Sequence, residues 1–104
     1  MAKNQQKTRK FLQCIGNKGF RETLAYINEN DGLHYNEIKK YLLDRKILSG
    51  TAWVTTILNG LVDMKLVDRT VESDTRPIRT SYSVNKKGET IIKYLDGIAK
   101  VLEK

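Results

Sequence analysis

GLVDMKLVDRTVESDTRPIRTSYSVNKKG, residues 60 to 88, is the stretch that decides the fold of this 104-residue chain. Its first residues continue an apolar helix, and two segments follow in which apolar and polar side chains alternate. A polar turn from Ser73 to Pro77 separates the two segments and holds the only proline. Alternation with a period of two is typical of half-buried β-strands, and residues 85 to 88 then start a new helix. The stretch therefore predicts the order helix, strand, turn, strand, helix.

Two helices are predicted near the start of the chain. The apolar positions of the first are Phe11, Leu12 and Ile15, and those of the second are Phe20, Leu24 and Ile27. Gly16 closes the first helix, and the second, whose apolar positions recur with helical spacing, ends near residues 30 to 32. Leu33 to Tyr35 is long enough for no more than a stub of strand.

A helix, a turn and a second helix occupy residues 36 to 62. Asn36 is a suitable N-cap for the first of these helices, and Lys39 and Lys40 face outward from it. Ser49 or Thr51 caps the second. The residues that face inward are Ile38, Leu42 and Leu43 on the first helix and Val54, Leu58 and Leu61 on the second, with Ile57 and Val62 beside them. Residues 45 to 48 form the turn between the helices.

The outer face of the second of these helices carries only small, uncharged side chains. They are Thr51, Ala52, Thr55, Thr56 and Asn59. Such a face fits deep in the major groove of DNA, where hydroxyl and amide groups can reach the base edges. The alternative is a helix docked on another protein, and we favour the groove. Trp53 is interpreted as a half-buried anchor of this helix.

The charge of the chain favours a polyanionic partner. Nineteen Lys and Arg against twelve Asp and Glu give a net charge of +7, as expected of a protein that binds nucleic acid or an acidic membrane surface. Residues 1 to 21 contain no acid, and their cations, Lys18 among them, either lie near phosphate or form a solvated face. Arg76 and Arg79 can enter a minor groove or bind phosphate, or else pair with acids across the hairpin. Lys39 and Ser49 complete the set of candidate DNA contacts.

The last helix, from about Lys87 to Lys104, has an apolar seam. It consists of Ile91, Leu95, Ile98 and Leu102, at spacings of four, three and four, and Ile92 and Val101 broaden it. This spacing is that of a short coiled coil, although a helix that packs back on its own domain needs the same pattern. We favour a homodimer, because the rest of the domain has enough apolar residues for its core. Phe11, Leu12 and Ile15 are expected beside the seam in the same interface.

Several classes of function are disfavoured. One cysteine and one histidine provide neither an internal disulfide nor a usual zinc site, so we expect no metal or other cofactor. No Gly-rich phosphate loop or paired-carboxylate motif indicates an enzyme. The apolar runs are too short for a membrane span, and the N-terminus lacks the features of a signal peptide. A cytoplasmic protein without membrane association is expected.

Several short motifs accompany this order of helices and strands. They are Ile15-Gly16-Asn17-Lys18, His34-Tyr35-Asn36-Glu37-Ile38, Arg69-Thr70-Val71, Pro77, Tyr82-Ser83-Val84 and Gly88. The order of the elements resembles that of winged-helix transcriptional regulators of the MarR, PadR and HxlR types, and the motifs resemble most closely those of the HxlR-like branch. The resemblance covers about residues 12 to 100. It implies an α+β, mainly helical fold, a winged helix-turn-helix with a two-stranded wing and a C-terminal dimerisation helix. It further implies a homodimeric regulator that binds double-stranded DNA, with the recognition helix in the major groove and the wing on the minor groove or backbone.

Two positions depart from the family pattern. The family's tryptophan after the lysine of the first motif is Gly19 here, and its polar recognition face is replaced by the small residues named above. Some members of the family have a redox-sensing cysteine well ahead of the glycine that corresponds to Gly16. Cys14 lies only two residues before Gly16 and does not match that position, so we favour a packing role for it. We expect residues 1–104 to form one DNA-binding domain. A winged-helix module that binds protein within a larger complex is the alternative.

Overall fold

The computed structural model describes residues 2–74 and 76–104, with side chains from residue 6 onward. Within these residues five helices and three strands follow one another. They are α1 (Ala2–Ile15), α2 (Phe20–Glu29), β1 (Leu33–His34), α3 (Tyr35–Asp44), α4 (Thr51–Asp63), β2 (Val67–Glu72), β3 (Arg79–Val84) and α5 (Lys86–Leu102). The fold is therefore α+β and mainly helical, as predicted. Thr75, in the predicted turn, lies outside the described residues.

The strands form one antiparallel sheet in the order β1-β3-β2. The hairpin of β2 and β3 runs in register from Val67 opposite Val84 to Glu72 opposite Arg79. The expected stub is a third strand, because Leu33 pairs with Tyr82 and buries its side chain. Val67 and Tyr82 are buried on the same face of the sheet as Leu33, but the predicted alternation does not extend along β2, where Asp68 to Val71 are all exposed.

The structure confirms the predicted helix start at residues 85 to 88 and corrects two predicted caps. Asn85 caps α5, its side chain accepting a 3.0 Å hydrogen bond from the backbone N–H of Gly88. Asn36 does not cap α3, because the helix already begins at Tyr35 and His34 is the capping residue. Ser49 and Thr51 do not cap α4. The residue in that position is the extended Gly50, which has no side chain to offer, and residue 51 is already helical.

The core lies between α2, the helix-turn-helix and the sheet. Its buried apolar side chains are Phe20, Leu24, Ile27, Leu33, Ile38, Leu42, Leu48, Val54, Ile57, Leu58, Leu61, Leu66, Val67 and Tyr82. In the described part of the chain, α1 and α5 add only half-buried side chains to it. Phe11 meets Phe20 edge to face at 6.3 Å, and Cys14 also packs against the core, the role expected of it.

The start of α5 is held tightly against the sheet. Gly88 is buried, and a Cβ atom at this position would collide with the carbonyl oxygen of Leu66. The Asn85 amide donates to the carbonyl oxygen of Lys65 at 2.8 Å and to a carboxylate oxygen of Asp68 at 3.1 Å. Together these contacts fix the direction in which α5 leaves the domain. None of the described helices combines the length and apolar character needed to span a bilayer.

Candidate nucleic-acid interface

A tight turn joins α3 to α4 and completes a helix-turn-helix. The carbonyl oxygen of Leu42 accepts hydrogen bonds from the backbone N–H groups of Ile47 (2.9 Å) and Leu48 (3.2 Å). Lys46, with φ of 57°, takes the left-handed conformation that such a helix end requires. Leu48 then enters the core. The turn thereby presents α4 with one face buried and the opposite face in solvent.

The exposed face of α4 is the one predicted to read DNA. Thr51, Ala52, Thr55, Thr56 and Asn59 are all exposed. Their buried counterparts are Val54, Ile57, Leu58 and Leu61. This division follows from the helical period, which sends the two sets of residues to opposite sides. Trp53, interpreted as a half-buried anchor of this helix, has 52% of its surface exposed and is not among the side chains that pack against the core.

Two side chains from other elements reach this face, and sequence reasoning had missed both roles. The Tyr35 hydroxyl, at the start of α3, lies 3.0 Å from the Thr55 hydroxyl. Arg69 of β2 donates from Nη1 to Oδ1 of Asn59 at 3.4 Å. Arg69 therefore brings a guanidinium to a helix face that carries no cation. The sequence placed Arg69 in a strand with alternating side chains, and the structure pairs it with Tyr82.

The wing consists of β2, β3 and the turn between them. Arg76 and Arg79 are exposed on it, as a contact with DNA requires. Glu72 lies directly opposite Arg79, the arrangement that the alternative of cross-strand pairing needs. Glu72 also contacts the Nε2 atom of His34 at 3.3 Å. The wing is thus linked to the start of α3.

His34 and Glu37 form the other half of this link. One carboxylate oxygen of Glu37 accepts a 3.0 Å hydrogen bond from the backbone N–H of His34 and lies 3.1 Å from the Nδ1 atom of its ring. The backbone hydrogen bond, followed by the one from the ring, lowers the pKa of Glu37, and the positive charge of Arg79 adds a smaller effect. A carboxylate thus lies at each ring nitrogen of His34, that of Glu37 at Nδ1 and that of Glu72 at Nε2.

The remaining predicted DNA-binding residues lie in three different places. Lys18, between α1 and α2, and Ser49, in the turn before α4, are exposed and border the same cleft as Trp53. Lys39, on α3, is half-buried rather than fully outward, as the long aliphatic stem of a lysine allows. Arg76 and Arg79 are on the wing, so the structure divides the predicted residues among several elements.

Large apolar side chains are exposed on α5 and on α1. They are Tyr94, Ile98, Val101 and Leu102 on α5 and Leu12 on α1, with exposed fractions from 55% to 76%. Val101 was expected to broaden the predicted seam, whereas Tyr94 was missing from it. Phe11, Ile15, Ile91 and Leu95, which were expected in the same interface, are half-buried, and the first three pack against the core of their own domain.

Similar folds occur among solved structures of transcriptional regulators. A MarR-family regulator from Porphyromonas gingivalis is 23% identical, with a TM-score of 0.68 over 93% of this chain and 89% of that one. A PadR-like transcription factor from Bacteroides fragilis is 18% identical, with a TM-score of 0.68 over 97% and 92%. The MepR–DNA complex from Staphylococcus aureus is 25% identical, with a TM-score of 0.66 over 99% and 81%. No protein-family model and no curated protein matches the chain.

The fold is therefore a winged helix, shared with regulators of the MarR and PadR types. This confirms the broader resemblance at the level of the fold. The narrower resemblance, to the HxlR-like branch, stays a prediction.

Proposed function

We propose that this chain is a homodimeric, sequence-specific regulator of transcription that binds double-stranded DNA, and that it is related to the HxlR-like branch. Residues 1–104 would form one DNA-binding domain. The observation that carries the proposal is the exposed face of α4, which is uncharged and is reached by the guanidinium of Arg69 from β2. MepR, which shares this fold, has been solved as a DNA complex.

In the proposed complex, α4 is the recognition helix and lies in the major groove. Its hydroxyl and amide groups can approach base edges closely, because no long side chain stands in the way. The guanidinium of Arg69, held beside Asn59, supplies a donor pair suited to guanine. Arg76 and Arg79 on the wing would contact phosphate or the minor groove. Base reading and backbone binding are thus assigned to different elements.

The dimer would form through the apolar surface of α5 and α1. Five large side chains are exposed there, and each would contribute roughly 1.5 to 3 kcal/mol if fully buried. The buried core is complete without them. A pair of domains related by twofold symmetry would place two recognition helices about one turn of B-DNA apart, as a roughly palindromic site requires.

Salt titration of duplex binding tests the DNA proposal. If the dimer engages about six to ten phosphates, affinity falls about a thousandfold or more between roughly 50 and 200 mM salt. A gel shift without duplex binding at low salt would refute the proposal. Binding that is retained but insensitive to salt would point to an apolar protein interface instead.

Sedimentation tests the dimer separately. Ile98→Asp with Leu102→Asp places two charges on the most exposed part of the seam and should yield a folded monomer with weak DNA binding, because the second half-site is lost. Lys93→Asp with Lys100→Asp is the control, since both lysines are exposed on the same helix outside the seam. If the wild type is monomeric at roughly tens of micromolar, the seam is not a dimer interface.

A further inference from the structure

A cleft of about 320 Å³ lies beside the first turn of α4, outside the face already described. The α1–α2 loop forms one wall with Asn17 and Lys18, and the α3–α4 turn forms another with Lys46 and Ser49. The indole of Trp53 borders it from the recognition helix. Two ammonium groups, two hydrogen-bonding side chains and one aromatic ring thus surround a single opening.

The cleft exists because two loops pack directly on each other. Gly19, with φ of 92°, lets the α1–α2 loop approach so closely that a Cβ atom there would lie 2.9 Å from Cδ2 of Leu48 and 3.2 Å from Cδ1 of Ile57. The left-handed Lys46 turns the chain on the other side. Glycine at position 19, where the resembling family has tryptophan, is therefore part of how this cleft is built.

We propose that this cleft holds the phosphodiester backbone of the DNA strand that flanks the recognition helix. The inference rests on the proposed function and adds a backbone contact to it that is independent of the wing. Lys18 and Lys46 are exposed, and within the described residues neither forms an ion pair. Their charges are available to phosphate oxygens, and Asn17 and Ser49 can donate hydrogen bonds to the same oxygens.

Trp53 supports a nucleic-acid occupant over a small free anion. It is the third residue of α4, so a strand running along the edge of the groove beside that helix passes the indole. A half-exposed aromatic ring offers apolar area to deoxyribose while its N–H remains free to donate. The lysines supply charge for the phosphates and the ring supplies apolar contact for the sugar, so the contact carries no base sequence.

The test uses the full-length chain with a mixed-sequence DNA duplex and two double variants. Lys18→Gln with Lys46→Asn removes both charges from the cleft, and asparagine tolerates the positive φ at position 46. Lys93→Ala with Lys100→Ala removes the same charge from α5, outside the cleft. The slope of log K against log salt should become shallower by about 2 for each domain in the cleft variant, since each lost phosphate contact removes about 0.9. The α5 variant should keep the wild-type slope.

Trp53 provides a second readout, because it is the only tryptophan of the chain. Saturating duplex should protect its fluorescence from quenching by neutral acrylamide in the wild type and in the α5 variant, and this protection should be reduced in the cleft variant. An unchanged salt slope in the cleft variant, or a Trp53 that is quenched equally with and without duplex, would overturn the proposal while DNA binding itself persists. If none of the three proteins binds duplex, the proposed function fails first, and this inference fails with it.

Discussion

Gly88→Ala should be strongly destabilising although it adds only a methyl group. A Cβ atom at this position would collide with the Leu66 carbonyl oxygen and lie 2.7 Å from Cγ1 of Val84 and 3.1 Å from the Leu66 carbonyl carbon. The first obstacle is backbone, which cannot rotate away as a flexible side chain would. The start of α5 must therefore move away from the α4–β2 turn and strain the Asn85 cap.

The expected loss is about 2 kcal/mol in the free energy of unfolding. Overpacking a well-packed site costs typically 1 to 3 kcal/mol, and the rigid obstacle places this case in the upper part of that range. Alanine is better than glycine inside a helix by roughly 0.5 to 1 kcal/mol, which offsets part of the loss. For a domain of this size, 2 kcal/mol lowers Tm by about 8 to 16 °C.

Gly60→Ala is the matched control. Gly60 is also helical, in α4, but a Cβ atom there would meet nothing within 4 Å. This variant should be stabilised by about 0.5 to 1 kcal/mol, so the same substitution has opposite signs at the two positions. Urea unfolding followed by circular dichroism measures both. Equal stability changes in the two variants would refute the packing described for α5.

Three further predictions concern the cap of α5, the start of α3 and the recognition face. Asn85→Asp should destabilise the fold by about 1 to 3 kcal/mol, although aspartate is as good an N-cap as asparagine. The aspartate side chain loses both donated hydrogen bonds and places a second carboxylate beside Asp68. In urea unfolding, the added substitution Asp68→Asn should therefore restore part of the lost stability. Glu37→Gln should be less stable than wild type at neutral pH and equal to it in acid. Because the pKa of Glu37 is lowered in the folded protein, its carboxylate stabilises the fold fully above the usual glutamate pKa, and this contribution disappears as pH falls through the lowered value. A stability difference between the two proteins that persists near pH 2, roughly, would contradict the contacts described for Glu37. Arg69→Ala should weaken binding to the preferred duplex by about 1 to 3 kcal/mol with little change on a scrambled one, whereas equal losses on both in a gel shift would make Arg69 a backbone contact.

The periodic parts of the fold were predictable from sequence. The stripe of Phe20, Leu24 and Ile27 and the alternation around Tyr82 were sufficient, because burial of one face is decided by the repeat of apolar residues along the element itself. The cap at Asn85 was also predictable, since the side-chain acceptor and the N–H it serves are three residues apart.

Contacts between distant segments were not predictable in the same way. The third strand depends on Leu33 meeting Tyr82, and the composition of a short segment does not specify such a partner. The contact between Arg69 and Asn59 depends on how the hairpin packs against α4. The alternation of the strand predicts which side chains share a face of the sheet, but it does not predict which residues of other elements they contact. The cap at His34 was missed because asparagine, one of the usual capping residues, stands two positions further along.

The central claim is that α4 reads bases while the wing binds backbone. The most direct measurement selects duplexes from a random pool and compares affinities for the selected and scrambled duplexes among the wild type, Asn59→Ala and Arg76→Ala. The account predicts that Asn59→Ala loses about 1 to 3 kcal/mol on the selected duplex alone, and that Arg76→Ala weakens both duplexes alike and lowers the salt slope by about 1. A pool that yields no preferred sequence, or losses that do not differ between the two duplexes for either variant, would contradict it.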